Sequence, residues 1–254
     1  IEALAKKFST WFKATFLHPG EKMKTFYALM VVGFLCFIYT WITHYFTVPL
    51  GGDYTLQMMT FIYNTYDDWH EFFQTGVFPT WDTSAFIGID NVAGNSFYYL
   101  FDPFMLILLI FPRGWLTTLQ GLEIPLKMVL GGMFFYWYLG SFKFSPKTKR
   151  IGALCFAYSG FSFCYLWFHF QSVVTFLPLI LLGVENVIQK RDPRVLLFGF
   201  FLTGMTNYFF FVVFIIGAFL YAIFRFLQTI KQRSFSDNWA ALVMGIASFV
   251  LGTM

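Results

Sequence analysis

The sequence predicts an all-α polytopic membrane protein, a bundle of transmembrane helices with a long first outer loop. Two observations carry that prediction. Hydrophobic residues make up 58% of the 254 positions and charged residues only 12%, far from the roughly one-quarter charged composition of a soluble domain. Apolar stretches near the roughly 18 residues needed to cross a hydrocarbon core recur to the end of the chain. The net charge of +4 comes from loop lysines and arginines, so no nucleic-acid partner is read from it. Cys36, Cys155 and Cys164 all lie in apolar segments and form no C-x-x-C pair, which suits buried, inert thiols.

Residues 1–24 interleave Lys6, Lys7, Lys13, Lys22 and Lys24 with Phe8, Trp11, Phe12 and Phe16 at helical spacing. This spacing fits an amphipathic cytoplasmic segment on the membrane surface, or a basic flank that only sets topology. Residues 25–254 form the transmembrane domain. Its first span, Thr25 to Phe46, is too long for the apolar core of a signal peptide and lacks a small-x-small cleavage site, so it reads as an uncleaved anchor. The chain opens on Ile1, and the run from Trp239 to Met254 meets no flanking charge; the expectation is a piece of a longer protein.

The outer loop, residues 47–114, begins at Gly51-Gly52-Asp53. From Tyr54 to Thr75, apolar Met58, Phe61, Ile62, Trp69, Phe72 and Phe73 alternate with Gln57, Thr60, Asn64, Asp67, Asp68 and Glu71 at three- and four-residue steps. That is the period of an amphipathic surface helix, with Asp53 as its expected N-cap. Gly76 to Asn95 is rich in Gly, Pro, Asp and Asn and reads as a loop. Asp102-Pro103 is a helix-start signal. The run it opens, Phe104 to Phe111, is only about 12 Å long at 1.5 Å per residue and cannot cross, so it is expected to be re-entrant.

That reading makes Trp115 to Leu139 the second span and puts Lys143, Lys147, Lys149 and Arg150 inside, as the positive-inside rule requires. Glu123 and Lys127 stand one helical turn apart within it, spaced to pair. The remaining spans are Ile151 to Phe168, Ser172 to Ile188, Val195 to Met205 and Phe210 to Phe226, joined by an outer turn at His169-Phe170-Gln171, a basic inner turn at Lys190 to Arg194, and an outer turn holding Asn207 and Tyr208. Lys231 and Arg233 fall inside; Arg113 is the basic exception outside.

This topology gathers Asp53, Asp67, Asp68, Glu71, Asp82, Asp90, Asp102, His169, Asn207 and Tyr208 on the outer side. An acid at the edge of a membrane helix is a hypothesis of function by default. No G-x-G-x-x-G, P-loop, H-E-x-x-H or G-x-S-x-G motif points to soluble-enzyme chemistry or a nucleotide. Each outer residue also has a plainer role: Asp53 and Asp102 as helix caps, His169 as an interfacial polar group, Asn207 and Tyr208 as turn residues, and Asp67, Asp68 and Glu71 as a solvated helix face.

Several short motifs in order resemble the bacterial YfhO family: Gly52-Asp53 with Gln57, then Tyr98-Tyr99 and Asp102-Pro103-Phe104, Pro125 with Lys127, Pro178 with Gly183-Val184-Glu185, and Asn207-Tyr208-Phe209. The resemblance runs from about Val48 to Phe226. It implies a bundle like that of the GT-C membrane glycosyltransferases. Such enzymes take a sugar from a polyprenyl-phosphate donor and attach it to an acceptor outside the bacterial cytoplasmic membrane, here a cell-wall polymer such as lipoteichoic acid. The implied site has Asp53 as the catalytic general base, with Gln57, Asp102, His169, Asn207 and Tyr208 binding substrate. Asp53 and His169 would also be the ligands of a divalent cation, Mg or Mn, although a histidine stands where many such enzymes carry a second acid. A transporter or lipid flippase without covalent chemistry is the alternative; a lipid scaffold is a third reading.

Overall fold

The computed structural model describes residues 20–47, 51–83, 87–164, 167–189, 191–229 and 235–253. Most of the expected amphipathic N-terminal segment, residues 1–19, lies outside the described residues, as do Lys190, Lys231 and Arg233. What remains is almost entirely helical. Helix α1 spans Glu21–Thr43, and a π-helical turn over Tyr54–Met58 runs directly into α2, Met59–Thr75. A two-residue hairpin pairs β1, Trp81–Asp82, with β2, Ile89–Asp90. Short helices α3, Asn91–Asn95, and α4, Pro103–Leu108, follow.

A 3₁₀ turn at Arg113–Trp115 leads into α5, Leu116–Leu139. Next come α6, Pro146–Ala157, and α7, Gly160–Cys164. The bundle is completed by α8, Phe168–Ile188, α9, Arg194–Thr206, α10, Tyr208–Thr229, and α11, Phe235–Thr253.

Among the described residues, three helices are long and apolar enough to cross a membrane: Glu21–Thr43, His169–Ile188 and Tyr208–Thr229. The middle one is mostly buried within the bundle, and the last mostly exposed to whatever surrounds it. Helix α5 has the length to cross, about 36 Å for its 24 residues, but it carries Glu123 and Lys127 in its buried face. The expected span Ile151 to Phe168 is not one helix. It breaks at Tyr158-Ser159, where the Tyr158 hydroxyl donates to the Leu29 carbonyl of α1.

Proline and glycine set the close contacts in the bundle. Pro125 lacks the N–H that would bond the carbonyl four residues earlier. That carbonyl, on Gly121, instead accepts the indole N–H of Trp41 at 3.0 Å, which ties the end of α1 to the start of α5. Helices α8 and α9 meet at Gly183, where an added Cβ would lie 2.4 Å from the Leu196 Cα.

The two ends of the bundle differ in charge. At one end Glu21 pairs with Arg150 at 2.6 Å. At that same end the buried Glu185 accepts both Nε and Nη2 of Arg225, the Tyr221 hydroxyl and the Gln189 amide. The Gln189 amide also donates to the Ser141 carbonyl, closing α5, α8 and α10 together. Lys22, Lys24, Lys143, Lys147, Lys149, Arg150, Arg191 and Arg194 follow the same helix termini.

At the other end, α2 lies across the bundle as the period predicts. Its buried Met59, Ile62 and Tyr66 pack with Met105, Leu108 and Leu116. Tyr66 donates to the Phe111 carbonyl, Trp69 to the Leu100 carbonyl, and Arg113 to both carboxylate oxygens of Asp67 at 2.8 Å.

Candidate functional site

Asp53 follows Gly52, whose φ of +54° lies in the left-handed region that glycine adopts without a Cβ clash. That turn admits the chain to helical geometry one residue early. Asp53 is itself helical, with φ −62° and ψ −24°, and its carboxylate caps nothing. Asp53 stands at the expected N-cap position, but the expected bond from its carboxylate is not made, because its backbone is helical rather than extended as in a side-chain cap. The carboxylate stands exposed at the open end of the bundle. The wide π turn that follows carries Gln57, and such turns occur frequently at functional sites.

Asp102 does cap its helix. Its Oδ1 accepts the Phe104 N–H at 2.9 Å, with Pro103 in the first helical position. Its Oδ2 accepts the Ser172 hydroxyl of α8. Asp102 is fully buried, at 0% exposure, and so cannot meet a substrate without rearrangement. The ammonium of Lys127 lies 4.0 Å away and 2.6 Å from Glu123 Oε1, over the Phe104 ring. The expected pair is thus one part of a buried charged group joining α4, α5 and α8.

His169 is not in a turn. Helix α8 starts at Phe168, and the imidazole is wholly buried among Phe97, Tyr98, Tyr99, Trp167 and Phe170. Neither ring nitrogen has a hydrogen-bond partner among the described residues, and the same holds for the Tyr99 hydroxyl and the side-chain carbonyls of Gln120 and Gln171. Buried polar groups are normally satisfied, so this layer beneath the aromatic loop has hydrogen-bonding capacity to spare.

Asn207 is buried between α9 and α10. Its Oδ1 caps α10 by accepting the Phe210 N–H at 3.0 Å, and its Nδ2 donates to the Phe97 carbonyl at 2.5 Å. Tyr208 beside it is half exposed, its ring 5.9 Å from that of Phe97.

The residues expected to form the site therefore come together, with the exception of Asp102, around Phe97-Tyr98-Tyr99, a segment absent from the expected site. Tyr98 is the meeting point. Its ring stacks on Phe61 with centroids 3.8 Å apart and planes 11° from parallel, and it lies 5.2 Å from His169. Its hydroxyl lies within reach of the Gln57 amide and feels the Asp53 carboxylate and Tyr208. Burial first, then Asp53, hold that hydroxyl above the usual phenol range, so it stays a hydrogen-bond donor. The loop itself is pinned by Asn91, whose Nδ2 donates to Asp68 at 2.8 Å and to the Pro79 carbonyl at 2.7 Å.

Among the described residues no three His, Cys, Asp or Glu side chains converge as a ligand set. Of the two expected ligands, Asp53 is exposed and His169 buried.

The family model described as "Bacterial membrane protein YfhO" matches residues 23–254. No curated protein and no solved structure matches the chain.

Proposed function

We propose, because the chain belongs to the YfhO family of bacterial membrane proteins and carries an exposed acid at a polar aromatic site, that it is a membrane glycosyltransferase. It would move a sugar from a polyprenyl-phosphate donor to an extracytoplasmic acceptor such as a teichoic acid. The observation that carries the reading is Asp53, exposed and free of any cap bond, near Tyr98, which Gln57 and Tyr208 also approach.

In the proposed reaction Asp53 accepts the proton of the acceptor hydroxyl. That oxygen attacks the anomeric carbon, and the bond from carbon to phosphate oxygen breaks, releasing polyprenyl phosphate with its electron pair. A general base of this kind is worth about 10²- to 10⁴-fold. Gln57, Tyr98 and Tyr208 would orient the substrates, while Asn207 and His169 support them from the buried side. The concentration of lysines and arginines at the opposite end supports a cytoplasmic N-terminus and an extracytoplasmic site. The exposed apolar faces of α1 and α10 suit contact with membrane lipids. The test is transfer of labelled sugar from a polyprenyl-phosphate donor by the full-length protein in proteoliposomes; its absence with every donor and acceptor tried would count against the reading.

A transporter or lipid flippase is the second reading. It is favoured by Asp102, Glu123 and Lys127, all within the bundle. Such a protein would move a labelled headgroup across the bilayer without forming a glycosidic bond.

A further inference from the structure

The sequence motif Tyr98-Tyr99 has no part in the proton transfer above, yet Tyr98 is where its own loop meets three other segments. Gln57 reaches it from the π turn, Phe61 from α2, His169 from the start of α8 and Tyr208 from the start of α10, with Asp53 beside them. The chemistry of this set is specific. It comprises one carboxylate, one amide, two phenols and an imidazole, set among aromatic faces.

Among the described residues no lysine or arginine is in this set. Lys127, one layer below, is buried and held by Glu123 at 2.6 Å. A phosphodiester at Tyr98 would therefore face the Asp53 carboxylate without a compensating cation, and like charges repel even where water weakens the repulsion. A neutral ring bearing several hydroxyls has no such penalty. It finds acceptors in Asp53 and the Gln57 carbonyl, and donors in the Gln57 amide and the two phenols. The ring of Tyr98 is already fixed by its stack on Phe61, so little conformational entropy is lost when its hydroxyl engages a ligand.

We infer that the Tyr98 hydroxyl hydrogen-bonds a hydroxyl of the transferred sugar and so determines which sugar the Asp53 site accepts. This rests on the glycosyltransferase reading and extends it to the recognition of the donor. The phosphate of the donor then lies away from Tyr98, with only the sugar entering between the loop and α10.

The experiment uses the full-length protein in proteoliposomes and a set of polyprenyl-phosphate sugars: the intact donor and analogues each lacking one hydroxyl. Equilibrium binding and transfer are measured separately for wild type and Tyr98→Phe, a substitution that keeps the stack on Phe61. Wild type should bind one deoxy analogue about 3- to 10-fold more weakly than the intact donor, because the hydrogen bond to Tyr98 is lost. Tyr98→Phe should bind those two equally. Equal losses by Tyr98→Phe against every donor, or unchanged discrimination, would overturn the assignment of Tyr98 while leaving transfer intact. Discriminating binding without transfer would sustain Tyr98 and overturn the glycosyltransferase reading. Failure of wild type to bind any of these lipids would overturn both.

Discussion

The ammonium of Lys127 lies 2.6 Å from the carboxylate of Glu123, one turn earlier on α5, with both side chains almost wholly removed from solvent. Breaking such a pair from one side leaves a buried charge and costs about 3–5 kcal/mol. Lys127→Met, which strips the cation from both Glu123 and Asp102, should therefore sharply lower the melting temperature of the detergent-solubilised protein. Combining it with Glu123→Gln should restore much of the loss, and a double variant as unstable as the single one would show that the pair is not the cause.

Trp41 and Gly121 provide a smaller test. Trp41→Phe keeps most of the packing but removes the indole donor to the carbonyl that Pro125 cannot bond. The expected cost is about 1–3 kcal/mol. Pro125→Ala should make the Trp41→Phe substitution much less costly, since the helix can then satisfy that carbonyl itself; thermal melts of the four proteins form the cycle.

Gly183→Ala should be worse than its size suggests. The new methyl would meet the Leu196 backbone at 2.4 Å, which no rotamer change relieves, so α8 and α9 must separate. Overpacking of this kind costs about 1–3 kcal/mol. Gly217, with open space around its Cβ position, is the control, and Gly217→Ala should melt with wild type.

Arg113 and Asp67 form a bidentate pair, but both are about half exposed. Arg113→Ala should cost less than about 1 kcal/mol. A larger loss would point to the stack of the guanidinium on Tyr63, 4.5 Å away, as the stronger contact.

What the sequence made legible was local. The period of Tyr54 to Thr75 and the Asp102-Pro103 start signal act within a turn or two of chain, and the helices they announce are present. The failures came from distant packing. His169 was expected in a turn because it is polar, but Phe97, Tyr98 and Trp167 make a buried aromatic nest that α8 extends to meet. Asp53 stands at the expected cap position, but its helical backbone leaves the carboxylate without a cap bond. The break at Tyr158 coincides with a hydrogen bond to the Leu29 carbonyl, 129 residues away. Tyr98 was visible as a motif, yet its place at the centre of the site depends on four segments that only the fold assembles.

The central claim is tested most directly by sugar transfer from a polyprenyl-phosphate donor, comparing full-length wild type with Asp53→Asn at equal amounts of folded protein. Because the Asp53 carboxylate makes no cap bond, the substitution should leave the melting temperature unchanged and lower transfer by about 10²-fold or more. Transfer at the wild-type rate by Asp53→Asn would contradict the assignment of Asp53 as the base.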